Sequence, residues 1–238
     1  MEPIKLSIVI PTYNEEENIK ELLSKTHSVL DTFSVSHELI VVDDGSNDKT
    51  REIVKNFKNS IPEIILIERD HERGLASAMV RGYNTARGKY LGAMDADLAH
   101  NPDYLPSMLA IIELGEADFV IGSRYVRGAE FKGKPLLNKI ASKVGQYVIQ
   151  IILGLKIKDT SNNYRIFRRE LWENITNSLH PDGNIMLTEI VYLAHKKQFR
   201  ICEIPIVYME RRAGKSKLSV FVETKKFFQN IWKIRSGN

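Results

Sequence analysis

The first half of the chain alternates short apolar runs with longer segments whose apolar residues recur at helical spacing. The apolar runs predict five strands, at Leu6–Ile10, Glu38–Val42, Ile64–Ile67, Tyr90–Met94 and Asp118–Ile121. The periodic segments predict four helices, at Glu15–Leu30, Asp48–Phe57, Gly74–Ala86 and Pro102–Leu114. Short strands that alternate with such helices indicate an α/β fold with a mostly parallel sheet covered on both faces.

Polar clusters follow four of these strands. They are Pro11-Thr-Tyr-Asn-Glu15, Asp43-Asp-Gly-Ser46, Asp95-Ala-Asp97 and Gly122-Ser-Arg-Tyr125. Ligands of parallel sheets bind in the crevice at the carboxyl ends of the strands. Such residues also favour turns and helix N-caps, and for Asn14 and Asp48 that role is sufficient. Four clusters at one sheet edge nevertheless predict a ligand site there.

Composition limits the class of protein. With 238 residues, 43% of them hydrophobic and 27% charged, the chain predicts one folded unit over residues 1–238. A single cysteine, Cys202, excludes a disulfide framework and fits a reducing compartment. The amino-terminal residues lack the apolar core of a signal peptide. The longest apolar stretch, Tyr147–Leu155, is too short to span a bilayer, so we expect no membrane-crossing segment.

Charge is distributed unevenly along the chain. Residues 1–123 contain 12 Lys and Arg against 21 Asp and Glu, a net of −9, whereas residues 124–238 contain 22 against 9, a net of +13. This asymmetry indicates an anionic partner for the second half: a nucleic acid, an anionic lipid or a phosphorylated ligand. A solvated basic surface explains the same count equally well. No recognised nucleic-acid-binding motif supports the first of these partners.

Several common site motifs are absent from the sequence. No G-x-G-x-x-G follows the first strand, and neither H-E-x-x-H nor G-x-S-x-G occurs. Gly214-Lys-Ser216 lacks the earlier glycine of a phosphate-binding loop, because Met209 stands there. These absences argue against a dinucleotide oxidoreductase, a metalloprotease and an α/β-hydrolase. The histidines have no ligand spacing, and we expect surface positions for His27, His37, His71, His100, His180 and His195.

The triplet Asp95-Ala96-Asp97 carries the most chemical information. An apolar strand delivers two carboxylates, separated by one small residue, into the predicted crevice. Mg²⁺ and Mn²⁺ are usually held by one or two protein carboxylates together with substrate phosphate oxygens. A cation held there would neutralise the charge that builds on a departing nucleoside diphosphate. The triplet therefore predicts a site for a metal-bridged diphosphate.

Taken in order, the motifs resemble those of family 2 glycosyltransferases. Among these the chain is most similar to dolichol-phosphate mannosyltransferases and related polyprenyl-phosphate sugar synthases, from about Ile4 to Leu218. Besides the four clusters above, the motifs include Glu203-Ile-Pro-Ile206 and Gly214-Lys-Ser-Lys-Leu218. The resemblance implies a GT-A (nucleotide-diphospho-sugar transferase) fold. Residues 1–123 would bind the nucleotide sugar, and residues 124–238 would form the acceptor side.

The resemblance also implies roles for individual residues. The nucleotide base and ribose would contact Pro11, Tyr13, Glu15, Val42 and Asp44. The metal would be held by Asp95 and Asp97, with Ala96 between them at the diphosphate. The phosphates would contact Arg124 and, on a mobile loop that closes over them, Arg211 and Lys217. The residues expected to act in catalysis are Asp97, Arg124, Arg211 and Lys217.

Two positions depart from the family's pattern. The acceptor-side segment Lys158–Arg165 stands where the pattern is Asp-x-x-x-Gly-Phe-Arg or similar, and Asn162-Asn163-Tyr164 differs from it. Ala99 replaces a polar residue found in some relatives, which removes a side-chain metal ligand there. Neither departure affects the acidic triplet.

A lipid monophosphate acceptor would explain the basic second half. Its phosphate oxygen is already an anionic nucleophile, so no general base is required. The site must instead hold two anions close together, which Arg and Lys make possible. Arg127 and Arg165 are further candidates for that task. Glu189 lies where relatives that glycosylate hydroxyls place a catalytic acid, and either a structural or an acceptor-side role is open for it.

A helix predicted over Pro135–Leu155 has apolar residues at helical spacing and lysines nearby. This pattern fits a helix in a membrane interface, and it fits a core-packed amphipathic helix equally well. A polyprenyl acceptor favours the interface. Residues 219–238, with aromatic and basic side chains, have the same character. We therefore expect peripheral contact with the cytoplasmic face of a membrane, made directly or through a membrane-embedded partner.

The resulting expectation is metal-dependent, inverting transfer of mannose from GDP-mannose to dolichyl or another polyprenyl phosphate, with Mg²⁺ or Mn²⁺ as cofactor. The product would be the β-linked lipid phosphosugar. A UDP-glucose transferase with the same acceptor class is the enzymatic alternative, because Asp44 does not decide the base or the sugar. A nucleic-acid-binding protein with a structural sheet is a weaker one, since the acidic triplet stands at the predicted ligand edge.

Overall fold

A computed structural model of the chain describes residues 3–133, 135–180, 183, 185–209, 231–232 and 234–235. Nine strands are present in this part of the chain: β1 (Leu6–Thr12), β2 (His37–Asp43), β3 (Ile64–Glu68), β4 (Tyr90–Ala93), β5 (Phe119–Ser123), β6 (Glu130–Lys132), β7 (Arg165–Arg168), β8 (Ile201–Pro205) and β9 (Val207–Met209). Seven of them form one sheet in the order β3-β2-β1-β4-β7-β5-β8. The short strands β6 and β9 pair in parallel as a second sheet.

The four predicted helices of the first half are present, and three more follow in the second half. They are α1 (Ile19–Thr32), α2 (Thr50–Ser60), α3 (Leu75–Thr85), α4 (Leu105–Glu113), α5 (Leu136–Leu153), α6 (Arg169–Ile175) and α7 (Ile185–Lys196). A short 3-10 turn at Pro102–Tyr104 leads into α4. All five predicted strands are confirmed as β1 to β5, with ends shifted by one or two residues, as is common at element ends.

Alternating side chains of the sheet divide the core into two layers. Ile8 and Val41 point to the layer that contains α1, α2 and α4, while Val9 and Val42 point to the layer that contains α3, α5, α6 and α7. Successive side chains of a strand face opposite sides of the sheet, so continuous apolar runs in β1 and β2 bury both faces. This arrangement leaves the carboxyl ends of β1, β2 and β4 at one edge, where the loops that follow them lie.

Strand β7 was not among the predicted strands. It lies between β4 and β5 and runs antiparallel to both, while every other pair in the large sheet is parallel. Its sequence, Arg-Ile-Phe-Arg, has only two apolar residues, so no apolar run marks it. Its insertion joins segments far apart in the chain, because Arg165 pairs with Ala93 on one side and Ile121 on the other.

The predicted helix at Pro135–Leu155 is present as α5, which ends at Gly154 in a left-handed conformation with a φ of 68°. One face of α5 is buried and includes Ile149 and Leu153. The other face carries a stripe of apolar side chains that are 51–81% exposed, which we call the α5 stripe: Leu137, Ile140, Val144, Tyr147 and Ile151. In the described part of the chain, no helix is both long and apolar enough to cross a bilayer.

Candidate active site

A cleft of about 590 Å³ opens at the carboxyl edge of the sheet. Eight of the residues singled out from the sequence border it: Pro11, Tyr13, Glu15, Asp44, Asp95, Ala96, Asp97 and Arg124. Its remaining lining comes from Thr12, Leu75, Ser161, Asn162, Asn163, Leu187 and Tyr208. Val42 does not border the cleft, because its side chain is fully buried in the core. Arg211 and Lys217 lie outside the described residues.

The loop after β1 is held by hydrogen bonds to the loop after β2. Thr12 Oγ1 donates to Asp43 Oδ2 over 3.0 Å, and the Asn14 N–H donates to Ser46 Oγ over 2.9 Å. Asn14 has a φ of 57°, a left-handed conformation that Asn tolerates better than most residues. Its Oδ1 accepts from the Asn47 N–H over 2.9 Å, so the turn role expected for Asn14 is present. The two loops therefore form one rigid rim of the cleft.

The acidic triplet follows β4 in a tightly turned segment. Asp97 is 3% exposed, and its Oδ1 accepts from the Ala99 N–H over 3.1 Å. Leu98 has a φ of 60°, an uncommon conformation for a non-glycine residue and one often found at functional sites. The side chain of Asp95 is 30% exposed. One carboxylate is thus enclosed by its own turn, while the other reaches towards solvent.

The buried ring of His100 contacts the backbone of the triplet. The Asp95 N–H donates to His100 Nδ1 over 3.2 Å, so the ring proton sits on Nε2, which donates to Asn162 Oδ1 over 2.9 Å. Burial lowers the pKa of His100, which favours the neutral ring. The surface position expected for every histidine is wrong for His100, 1% exposed, and for His37, 5% exposed. The scattered spacing of the histidines along the chain does not indicate that these two are buried.

Asp44, in the loop directly after β2, contacts the residue before α3. The Gly74 N–H donates to Asp44 Oδ2 over 2.7 Å, and Arg69 Nε lies 3.2 Å from Oδ1. Burial raises the pKa of Asp44, although the Gly74 N–H and the Arg69 charge act in the opposite direction. Gly74 has a φ of 115°, which side-chain-bearing residues rarely adopt, so glycine permits this contact. Arg73 lies 5.7 Å above the ring of Tyr13 on the same rim.

Arg124, on the opposite wall, is already paired. Its Nε and Nη2 donate to the two oxygens of the buried Asp159 over 2.8 Å each, and its backbone N–H donates to the same carboxylate. These bonds raise the pKa of Arg124 although burial opposes them. Much of its charge is therefore balanced before any phosphate arrives. Sequence reasoning placed Asp159 on the acceptor side without identifying it as the partner of Arg124.

Two further acceptor-side candidates, Arg165 and Glu189, are both buried away from the cleft. Arg165 is fully buried, bonds to the backbone carbonyls of Asn162 and Leu187, and does not border the cleft, so it does not offer its guanidinium to a phosphate there. Burial lowers its pKa to about 10. Glu189 is also buried and away from the cleft; it accepts from the His180 backbone N–H over 3.0 Å and its Oε1 lies 2.9 Å from the ring Nδ1. Glu189 thus anchors the segment before α7.

The cleft suits a divalent cation that is completed by substrate oxygens. Asp95 and Asp97 both border it and supply the hard carboxylate oxygens that Mg²⁺ and Mn²⁺ prefer. Among the described residues, no group of three His, Cys, Asp or Glu side chains is arranged to hold a metal. Ala99 follows the triplet with a side chain that has no ligand atom. The donor set therefore fits a cation that shares its coordination with a diphosphate, and it does not fit a closed protein cage.

Comparison with solved structures identifies the fold. Glucosyl-3-phosphoglycerate synthase from Mycobacterium tuberculosis, solved with Mn²⁺, UDP and phosphoglyceric acid, superposes with a TM-score of 0.68 and 17% identity. The match covers 97% of this chain and 76% of that chain. The same protein has been solved with Mg²⁺ and UDP, with a TM-score of 0.67 at 17% identity over 97% of this chain and 77% of the other. The predicted GT-A fold, a mostly parallel sheet flanked by helices, is thereby confirmed.

Comparison with curated sequences gives nearer relatives. A dolichol-phosphate mannosyltransferase from Pyrococcus furiosus is 37% identical over 217 residues, 90% of this chain. This match spans 59% of that relative's length. A polyprenol monophosphomannose synthase from Mycolicibacterium smegmatis is 32% identical over 89% of this chain and 80% of the relative. An undecaprenyl-phosphate mannosyltransferase from Micrococcus luteus is 30% identical over 91% of this chain and 88% of the relative.

The family description Glycosyl transferase family 2 matches residues 7–176, more than half of the chain. That range contains every element that borders the cleft except α7 and β9. The resemblance seen in the motifs is therefore confirmed, and so is the predicted class of enzyme, a glycosyltransferase. This chain belongs to glycosyl transferase family 2.

Proposed function

We propose that this chain transfers mannose from GDP-mannose to dolichyl or another polyprenyl phosphate, with Mg²⁺ or Mn²⁺ at Asp95 and Asp97. One observation carries the proposal: a single cleft of about 590 Å³ joins the acidic triplet to the rim of Tyr13 and Asp44 and to Arg124 on the opposite wall. Three relatives named as mannosyltransferases or mannose synthases for polyprenyl-type phosphates support the substrate class.

The charge of the cleft supports the need for a cation. Glu15, Asp95 and Asp97 border it, while Arg124 is balanced by Asp159. Two anionic substrates bound beside these carboxylates need positive charge close to their phosphates. A divalent cation held by Asp95 and Asp97 would supply that charge and would polarise the diphosphate leaving group. Arg211 and Lys217, in the basic part of the sequence, are proposed to add to it by closing over the phosphates.

The chain's own residues then have separate tasks in the transfer. Pro11, Tyr13, Glu15 and Asp44 bind the base and ribose, and Val42 supports this rim from the core. Asp97 and Asp95 would hold the cation that binds the diphosphate, and Arg124 would contact the phosphates from the opposite wall. An oxygen of the acceptor phosphate attacks the anomeric carbon, the bond from that carbon to the diphosphate oxygen breaks, and GDP leaves. The attacking oxygen is already anionic, so no side chain has to remove a proton. A single displacement inverts the anomeric configuration and gives a β-linked product.

The acceptor's lipid explains the α5 stripe. The stripe exposes apolar area, while Gln146 on the opposite face of α5 bonds to Thr160 and Ser161, beside the cleft. We propose that α5 lies in the interface of the cytoplasmic leaflet, where such a helix buries its apolar face. Lipid phosphate held at that surface would reach the acceptor wall without leaving the membrane. An embedded partner protein that binds the same stripe is the alternative outcome.

A donor panel tests the reaction. Full-length protein is incubated with dolichyl phosphate, Mn²⁺ or Mg²⁺, and labelled GDP-mannose, UDP-glucose or other nucleotide sugars. Label in the organic phase from GDP-mannose alone supports the proposal. Label from UDP-glucose alone would assign the alternative donor, and no label from any donor would reject polyprenyl phosphate as the acceptor.

Vesicle flotation tests the membrane contact. Val144 and Ile151 are exposed and suitable for substitution, whereas Ile152 packs against the core and is not. We expect Val144→Ser/Ile151→Ser to lose binding to anionic vesicles, and Asn138→Ser, an exposed polar position on the same helix, to retain it. Wild-type protein that stays unbound at low salt yet glycosylates detergent-dispersed acceptor would favour the partner protein.

A further inference from the structure

Asn163 stands where the acceptor-side pattern of the family has glycine. Its side chain borders the cleft and is only 3% exposed. The backbone there does not require glycine, since Asn163 is absent from the residues with positive φ. The side chain itself must therefore explain what this position does.

The Asn163 side chain reaches across the cleft floor to the acidic triplet. Its Nδ2 donates to Asp95 Oδ1 over 3.0 Å and lies 3.8 Å from Met79 Sδ. Its Oδ1 is buried, with no hydrogen-bond partner among the described residues, so Asn163 keeps an unpaired acceptor. Burying an acceptor without a hydrogen bond costs free energy. The same side chain nevertheless donates a hydrogen bond to Asp95.

A neutral donor has a specific advantage at this carboxylate. Arg or Lys beside Asp95 would balance its charge, as Arg124 does for Asp159, and would weaken its attraction for a cation. The amide of Asn163 instead fixes one oxygen of Asp95 without placing a positive charge beside it. Asp95 Oδ2 lies 4.0 Å from His100 Nδ1, so the remaining oxygen is not tightly held on that side.

We propose that Asn163 is a positioning residue, which orients Asp95 so that its unbonded oxygen meets a divalent cation on the donor diphosphate. This inference rests on the metal use included in the proposed function. Groups that orient metal ligands by hydrogen bonding typically change metal affinity 10–100-fold when removed. Removing the amide should therefore weaken cation binding, although Asn163 is not itself proposed as a metal ligand.

Direct cation binding tests the role. Mn²⁺ binding to the full chain is measured by electron paramagnetic resonance, with and without GDP, for wild type, Asn163→Ala and Asn163→Gly. We expect both variants to raise the Mn²⁺ dissociation constant about tenfold or more. Thermal unfolding of each variant, measured in parallel, checks that the fold is retained.

Met79→Leu is the matched control. It removes the sulfur beside Asn163 with little change of core volume and leaves the bond to Asp95 in place. Unchanged Mn²⁺ affinity in Met79→Leu, together with weaker binding in both Asn163 variants, supports the positioning role. Equal losses in all three variants would show a packing effect and overturn it, as would wild-type affinity in the Asn163 variants.

A separate variant distinguishes this inference from the proposed function. Asp97→Ala should abolish the Mn²⁺ signal if the triplet holds the cation. A lost signal in Asp97→Ala with normal binding in the Asn163 variants would reject the inference and leave the metal site standing. Wild-type protein that binds no Mn²⁺ even with GDP would reject both.

Discussion

The acidic triplet on one wall of the cleft and Arg124 on the opposite wall are held by different kinds of groups. The donor wall is formed by residues 11–13, 15, 44 and 95–97, and the acceptor wall by Arg124 and residues 161–163, with the buried Asp159 behind Arg124. On the donor wall, the Asp95 carboxylate accepts from the neutral Asn163 amide, and the Asp97 carboxylate accepts from the Ala99 backbone N–H. On the acceptor wall, Arg124 and Asp159 balance each other.

This difference changes how the basic second half of the chain is understood. A net charge of +13 over residues 124–238 suggests strong attraction for anions. Yet Arg124 is paired with Asp159, and Arg165 donates its hydrogen bonds to backbone carbonyls. Arg168 and Arg200 both form ion pairs with Asp118. Charge counted along a sequence therefore overstates what the folded wall offers to a phosphate.

The largest expected effect is on the donor wall. We expect Asp97→Ala to lower kcat about 10³-fold, because half of the chain's carboxylate ligation at the proposed metal is removed and charge on the leaving diphosphate is less well balanced. Steady-state sugar transfer measures it. Asp103→Asn, an exposed position in the next turn, serves as control. Full activity of Asp97→Ala, or of wild type in excess chelator, would contradict the metal-dependent transfer.

The donor wall could be predicted because the residues within each of its three clusters are neighbours in the sequence. Each cluster directly follows an apolar run that predicts a strand, so the position of Asp44 or Asp95 follows from the local pattern and from parallel pairing. The acceptor wall depends on β7, whose short sequence, with charged ends, gives no strand signal. The pairing of Arg124 with Asp159 spans 35 residues, and no local pattern predicts such a distant contact.

The next effect concerns the acceptor wall. We expect Asp159→Asn to lower the free energy of unfolding by about 3–5 kcal/mol, because a buried Arg124 loses its counter-charge. Arg124→Gln/Asp159→Asn should cost less than the sum of the single variants, and urea unfolding of all three measures the coupling. Strictly additive costs would show that the two charges do not interact, and the contrast between the walls would fail.

A smaller effect concerns the glycine that supports Asp44. We expect Gly74→Ala to cost roughly 1–2 kcal/mol of stability, because a φ of 115° is unfavourable for a residue with a Cβ, and to weaken GDP binding through the shifted N–H. Gly145→Ala, in the interior of α5 with open space around its Cβ position, should instead stabilise by up to about 1 kcal/mol. Denaturant unfolding and nucleotide titration measure both. Equal behaviour of the two variants would remove the special role of Gly74.

The smallest effect lies at the other end of the inserted strand. Asp118 bonds to Arg200 and to Arg168 of β7, and the Arg200 bond is the main cause that lowers the pKa of Asp118 to about 2. Because the folded pKa lies below the unfolded value, this stability is complete above about pH 4 and is lost as the pH falls towards 2. Wild type should therefore take up more protons on unfolding near pH 3 than Asp118→Asn, by about one proton at most. Urea unfolding across this range gives the slope for each protein. Identical slopes would show that the ion pairs at the start of β5 do not hold β7 in the sheet, and that its two flanking strands alone fix it.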